Sequence, residues 1–228
     1  MTYNRRVLLL GTIAFLTATG VMLPVRTASA DLIVELGSVL NGAAPSETGL
    51  PWLTAEFRAA SQPGMVTLTL RSHLDNPSQF ITQLAFNVAP AIDPASITIT
   101  QTSGSPVEKI TAGKQDAQEI HGTGNLGRGF DFLLNWPSSS ERRFGGTDVA
   151  TFALNASNLT PEDFNYSNAS QNADFAAKVQ GIPGNTSGVI KDSETLHIQP
   201  VPEPATLVLL GTVGMLLAIV GLLRFIKR

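Results

Sequence analysis

The stretch "MVTLTLRS", residues 65–72, decides the fold. Val66, Leu68 and Leu70 fall on one side of an extended backbone, with Thr67, Thr69 and Arg71 on the other. Successive side chains of a strand point to opposite faces, so this alternation gives one apolar face and one wet face. A helix would place its apolar residues three and four apart, and this stretch lacks that spacing. The reading is a half-buried β-strand.

The same period of two recurs outward from it. In "TQLAFNV" (82–88) Leu84, Phe86 and Val88 alternate, and in "GFDFLLNW" (129–136) Phe130, Phe132, Leu134 and Trp136 share a face. "DVATFAL" (148–154) repeats the pattern with Ala150, Phe152 and Leu154. Weaker strands are read at "LIVEL" (32–36), "WLTAEF" (52–57), "SITIT" (96–100), "DFAAKVQ" (174–180) and "ETLHIQ" (194–199). Between them stand Gly, Pro, Asn and Ser clusters such as "APAIDP", "HGTGNLGRG", "WPSSS" and "IPGNTSG". About nine or ten such strands predict a mainly β domain, an antiparallel β-sandwich of jelly-roll-like type with two sheets face to face. The strand starts share no fixed period, which argues against a propeller or solenoid. One short helical turn is expected at "LTPEDF" (159–164), with Thr160 as cap, Pro161 first in the turn and Glu162 and Asp163 following.

The two ends read differently from this middle. Residues 1–30 predict a signal peptide. Arg5 and Arg6 precede 17 uncharged residues from Val7 to Leu23, Pro24 breaks the run, and Ala28 and Ala30 give the small-x-small pattern that signal peptidase recognises. Cleavage is expected after Ala30. At the other end 19 uncharged residues run from Ala205 to Leu223. As a helix this run is about 28 Å long, close to the roughly 30 Å hydrocarbon core of a membrane. Arg224, Lys227 and Arg228 follow, the kind of positive tip that stays on the cytoplasmic side. Residues 205–228 therefore predict a transmembrane helix and basic cytoplasmic tip, 200–204 a linker, and 31–199 the exported domain.

Between Asp31 and Pro202 the chain carries 9 Lys and Arg against 17 Asp and Glu, a net charge of about −8. An acidic domain repels nucleic acid and anionic lipid, so neither is an expected partner. The chain has no cysteine, which excludes disulfide stapling, cysteine nucleophiles and cysteine-ligated metals.

Chemistry-bearing residues are sparse. His73 and Asp75 share a face in extended chain, yet no third group for a base or a metal is evident, and a solvated strand-end histidine is the plainer reading. His121 lies in the Gly-rich "IHGTGNLGRGF", which lacks the Gly-Lys-Ser/Thr of a phosphate loop. His197 reads as a strand residue. Neither a nucleophile elbow nor a zinc-protease motif occurs, and the carboxylates stand singly except Glu162 with Asp163. The Asn- and Ser-rich segment 155–172, with Glu162, Asp163 and Asp174, has oxygens able to ligate calcium, and equally able to bond to its own backbone as a polar loop. No other cofactor is expected.

Pro202, Glu203 and Pro204, followed by the apolar span and the basic tip, resemble the PEP-CTERM sorting signal of Gram-negative bacteria. The resemblance implies that an exosortase recognises this triplet and cuts nearby. Proline fixes φ and lacks an N–H, so Pro202 and Pro204 keep the triplet extended and outside the helix behind it. The tip departs from the usual arginine run, since Phe225 and Ile226 interrupt it. The middle is similar, more loosely, to a recurring exported β-domain joined to such tails, through "GFDFLLNWP", "RFGGTDVATFAL", "LTPEDF" and "AAKVQGIPGNTSGVI". Relatives are expected to carry a histidine where Lys178 stands.

The resulting expectation is a non-enzymatic structural or adhesive protein, tethered to the inner membrane as a precursor and then released to the cell surface or extracellular matrix. Its expected partners are signal peptidase, exosortase, the membrane before processing, and extracellular polysaccharide of a biofilm. One rival is a carbohydrate-binding module, for which Trp52 is the glycan contact, Trp136 alternating with core residues. A glycan hydrolase is the other.

Overall fold

The computed structural model describes residues 30–46, 48–113, 118–120, 128–139, 142–167, 173–184, 186–193 and 197–199. The expected signal peptide with Ala28, the sorting triplet Pro202, Glu203 and Pro204, and the membrane segment with Arg224, Lys227 and Arg228 lie outside these residues, as does His121. Among the described residues no helix is long and apolar enough to cross a membrane.

The described chain is mainly antiparallel β. Its strands are β1 (Asp31–Gly42), β2 (Leu53–Ala59), β3 (Met65–Ser72), β4 (Phe80–Phe86), β5 (Thr98–Ser103), β6 (Lys109–Ala112) and β7 (Gln118–Glu119). They continue as β8 (Arg128–Phe130), β9 (Phe132–Asn135), β10 (Phe144–Gly145), β11 (Val149–Asn155), β12 (Phe175–Ile182), β13 (Thr186–Asp192) and β14 (His197–Gln199). Twelve of these form one sheet in the order β5-β11-β3-β2-β1-β13-β12-β4-β9-β6, with β10 added to β4 and β14 to β1. β7 and β8 pair separately.

The ladder is unbroken, so the two sheets expected to face each other are joined into one. Its outermost strands, β5 and β6, are consecutive in the chain and linked only by residues 104–108. Six residue steps span at most about 20 Å, which brings the two edges of the sheet toward each other. Side chains tie this closure: Gln101 Nε2 donates to Ser105 O (2.8 Å), Gln101 Oε1 accepts from Val107 N (2.9 Å), and Trp136 Nε1 donates to Ser105 O (3.1 Å). The sheet is thereby wrapped nearly into a barrel around one core.

Alternation fills that core as the sequence predicts. Val66, Leu68 and Leu70 of β3 are fully buried, as are Ala150, Phe152 and Leu154 of β11 and Leu32, Val34 and Leu36 of β1. Phe57, Phe86, Phe164 and Phe175 form its centre; the Phe57 and Phe164 rings stack at 4.5 Å and the Phe86 and Phe175 rings at 5.6 Å. Burying each such ring contributes about 2–3 kcal/mol through area alone.

Phe164 arrives from the short turn that "LTPEDF" predicts, a 3-10 turn at Pro161–Phe164. The Asp163 carboxylate accepts from both the Thr160 N–H (2.8 Å) and the Thr160 hydroxyl (2.9 Å), which fixes the entry and aims Phe164 inward.

Two expectations need correction. Phe130 does not share the core with Phe132, Leu134 and Trp136; it packs in a second cluster with Ala85, Ile120, Leu133, Ala173, Ala176 and Val189 on the outer side of the sheet. The cause is Asp131, which breaks the strand: its carboxylate accepts from Val88 N (3.0 Å) and its N–H donates to Asn87 Oδ1 (3.1 Å). The segment "TSG", read as turn, opens β13 instead. Gly188 is a strand residue because β1's exit runs hard against it; a Cβ there would lie 1.9 Å from Ala43 O.

Candidate functional site

Among the described residues, those singled out in the sequence do not gather in one place. Trp52, expected as an exposed glycan contact, is 7% exposed and packed in the main core. It immediately precedes β2, its backbone N–H donating to Leu36 O (3.0 Å), and the burial of its ring leaves no stacking platform. Trp136 is also buried, consistent with its alternation.

His73 follows β3, half-buried, with Nε2 3.0 Å from the Thr54 hydroxyl. Burial, reinforced by Arg71, holds its imidazole below the usual range, so it is neutral at pH 7. His197 lies in β14 beside β1.

The Asn- and Ser-rich carboxylates are spent locally. Asp163 caps its own turn, Glu162 Oε1 accepts from Ala30 N (2.8 Å), and Asp174 accepts from the Ser167 hydroxyl. Asp192 Oδ1 accepts from the backbone N–H groups of Asp174 (2.9 Å) and Phe175 (3.0 Å). Burial nevertheless pushes the Asp192 carboxyl above its ordinary value, with Asp174 adding to the effect. Among the described residues no three His, Asp or Glu side chains converge as a metal site.

A groove of about 280 Å³ does open on the outer face of the sheet, and sequence reasoning passed over it. Its floor follows from the register. Lys178 of β12 faces Gln83 of β4, Gln83 faces Asn135 of β9, and Asn135 faces Lys109 of β6. Residues directly opposite in antiparallel strands put their side chains on the same face, so these four form a polar row. Two residues further along, the row is apolar: Ala176, Ala85 and Leu133, covered by Ile120 and Phe130 of the β7–β8 segment. One half of the outer face is thus roofed and the other is left open.

A bulge shapes the open half. The register between β12 and β4 slips between Lys178 and Val179, leaving Thr82 as the extra residue beside Gln83. Bulges re-aim side chains in this way. Thr82 and Gln83 consequently both line the groove although each is less than 8% exposed. Gln83 Nε2 donates to Asn135 Oδ1 (2.9 Å), and Trp136 N donates to Thr82 O (2.9 Å), so the floor is held from two strands.

Lys178 and Gln180 form one wall, and Glu108, Trp136 and Ser138 the other. Behind the groove Arg143 lies 4.1 Å over the Phe80 ring while its Nε donates to Ser138 O (2.8 Å), which braces that rim. Three amides, two hydroxyls, one ammonium and one carboxylate therefore surround the space. Such a lining donates and accepts hydrogen bonds without a large net charge. Among the described residues that line it, Glu108 is the one carboxylate.

The signal that could have found this site is the run of polar residues at outward positions of three otherwise apolar strands, Gln83, Asn135 and Lys178. No protein-family model, no curated protein and no solved structure matches the chain.

Proposed function

We propose that the chain is an exported structural or adhesive protein of the cell surface or extracellular matrix, sorted through its Pro202-Glu203-Pro204 triplet by an exosortase. One observation carries the reading furthest. Asp31, the first strand residue among the described residues, pairs with Gln199, the last of them, across β1 and β14. This pairing brings the first and last described strands side by side, which supports reading Ala30 as the cleavage point and residue 200 as the start of a linker. The core cluster of the described residues is built from side chains between Leu32 and Ile190, and on this reading the flanking segments serve targeting.

The wrapped sheet is read here as a jelly-roll-like sandwich whose two halves meet at the phenylalanine centre. Signal peptidase and exosortase act on the precursor, and extracellular polysaccharide is the surrounding material.

The test is replacement of Pro202 and Pro204 by alanine in the full chain, expressed in a bacterium with a working exosortase. The doubly substituted chain is expected to accumulate in the membrane fraction at full length. Release equal to the unsubstituted chain would reject the sorting role of the triplet.

A further inference from the structure

We infer that the polar groove between β12, β4 and β9 is a binding subsite for a neutral saccharide. The inference rests on the matrix reading above for its biological setting, but its chemistry comes from the groove itself.

Sugar hydroxyls are donors and acceptors at once, and they are best matched by planar amides and hydroxyls held in place before the ligand arrives. Gln83 and Asn135 meet that requirement: they are neighbours in the sheet, joined by the 2.9 Å bond between their amides, and Gln83 is only 5% exposed. Ordering of the side chains has been met in folding, which removes part of the entropic cost of binding. Gln180 and Lys178 from one wall and Ser138 and Glu108 from the other bring further donors and acceptors to the same space. A volume of about 280 Å³ is at the small end of ligand sites, room for a sugar ring rather than a nucleotide or a long peptide.

Charge selects the class of sugar. Lys178 and Glu108 offset each other within the lining, and the exported domain as a whole carries 17 acidic against 9 basic side chains. A polyuronate or sulfated glycan approaches a surface of its own sign and is repelled, whereas a neutral glycan is indifferent to that field. Trp136 lines the groove, but it is 3% exposed and its ring stacks on Phe144 in the core, so recognition here is by hydrogen bonds.

The probe is an array of neutral and uronate-containing oligosaccharides presented to the full chain, purified in a detergent whose head group is not a sugar. Binding to a neutral oligosaccharide is expected, with a loss of about tenfold on Lys178→Met and on Gln180→Ala, as removal of one charged or amide hydrogen-bond partner implies. Both positions are half-buried at the rim, so folding is retained, and an unchanged thermal melt verifies it. Arg71→Ala, on the exposed end of β3, leaves binding unchanged. Binding confined to uronate-containing glycans, binding that survives both groove substitutions, or no binding by the folded chain would overturn the inference. None of these outcomes depends on processing at Glu203, so the groove and the sorting triplet stand or fall separately.

Discussion

Asp31 and Gln199 face each other across β1 and β14, which places the first and last described strands side by side. Immediately before this pair, the Ala30 N–H donates to Glu162 Oε1 at 2.8 Å. The proposed cleavage after Ala30 would leave the new α-amino group on Asp31, at the start of β1. Amino-terminal sequencing of the exported protein is expected to begin at Asp31. A start upstream of Ala28 would contradict the assigned site.

Phe164 ties the 3-10 turn to the core. Its ring is fully buried and stacks on Phe57, so Phe164→Ala is expected to destabilise the domain by about 3–5 kcal/mol in urea unfolding. A loss under about 1 kcal/mol would mean that the turn is not held by this ring.

Trp52 separates the two glycan readings. Because it is a core residue, Trp52→Ala is expected to lower stability by about 3–5 kcal/mol. Trp52→Phe, a milder change, is expected to leave oligosaccharide binding within about twofold of the unsubstituted chain. Binding lost on Trp52→Phe in a folded protein would restore the exposed-platform reading.

Two groups give the stability opposite dependences on pH. The Asp192 carboxyl is held above 3.8 in the native state by burial, so the native state binds that proton more tightly than the unfolded chain. Its contribution is fully present below the unfolded value and is lost as pH rises through the native one. Asn at this position keeps an acceptor for the N–H groups of Asp174 and Phe175 and carries no charge. Relative to the unsubstituted protein, Asp192→Asn is therefore expected to be more favourable at pH 7 than at pH 3.5. Urea midpoints at the two pH values check the sign; equal differences at both would contradict it.

His73 runs the other way. Its native imidazole is held below 6.5 by burial, so the unfolded chain takes up the proton first and stability falls as pH drops through that value. His73→Gln is expected to flatten this acid-side loss between about pH 7 and 5. An unaltered slope would show that the ring is not shielded.

The strands with the cleanest alternation were legible because a single side faces the core, as Val66, Leu68 and Leu70 show. Where both faces are covered the period disappears: every residue of β4 from Phe80 to Phe86 is buried, since Ala85 faces an outer apolar cluster while Leu84 and Phe86 face the main core. Phe130 fits the inward alternation by spacing alone, and only the bonds made by Asp131 send it to the other side. β13 escaped because "TSG" has turn composition, while Gly188 answers to the close approach of Ala43, a distant contact that no local pattern carries. The groove was hidden for a similar reason. Gln83, Asn135 and Lys178 are at least 43 residues apart in the chain, and only the register of two ladders sets them in one row.

The account turns on the carboxyl terminus. Intact-mass measurement of the protein recovered from the cell surface or medium, in strains with and without a working exosortase, tests it most directly. With the enzyme, the mature chain is expected to end close to Glu203 and to lack residues 205–228; without it, the full carboxyl-terminal segment is expected to remain. Surface protein that keeps the segment through Arg228 in the presence of the enzyme would contradict the account.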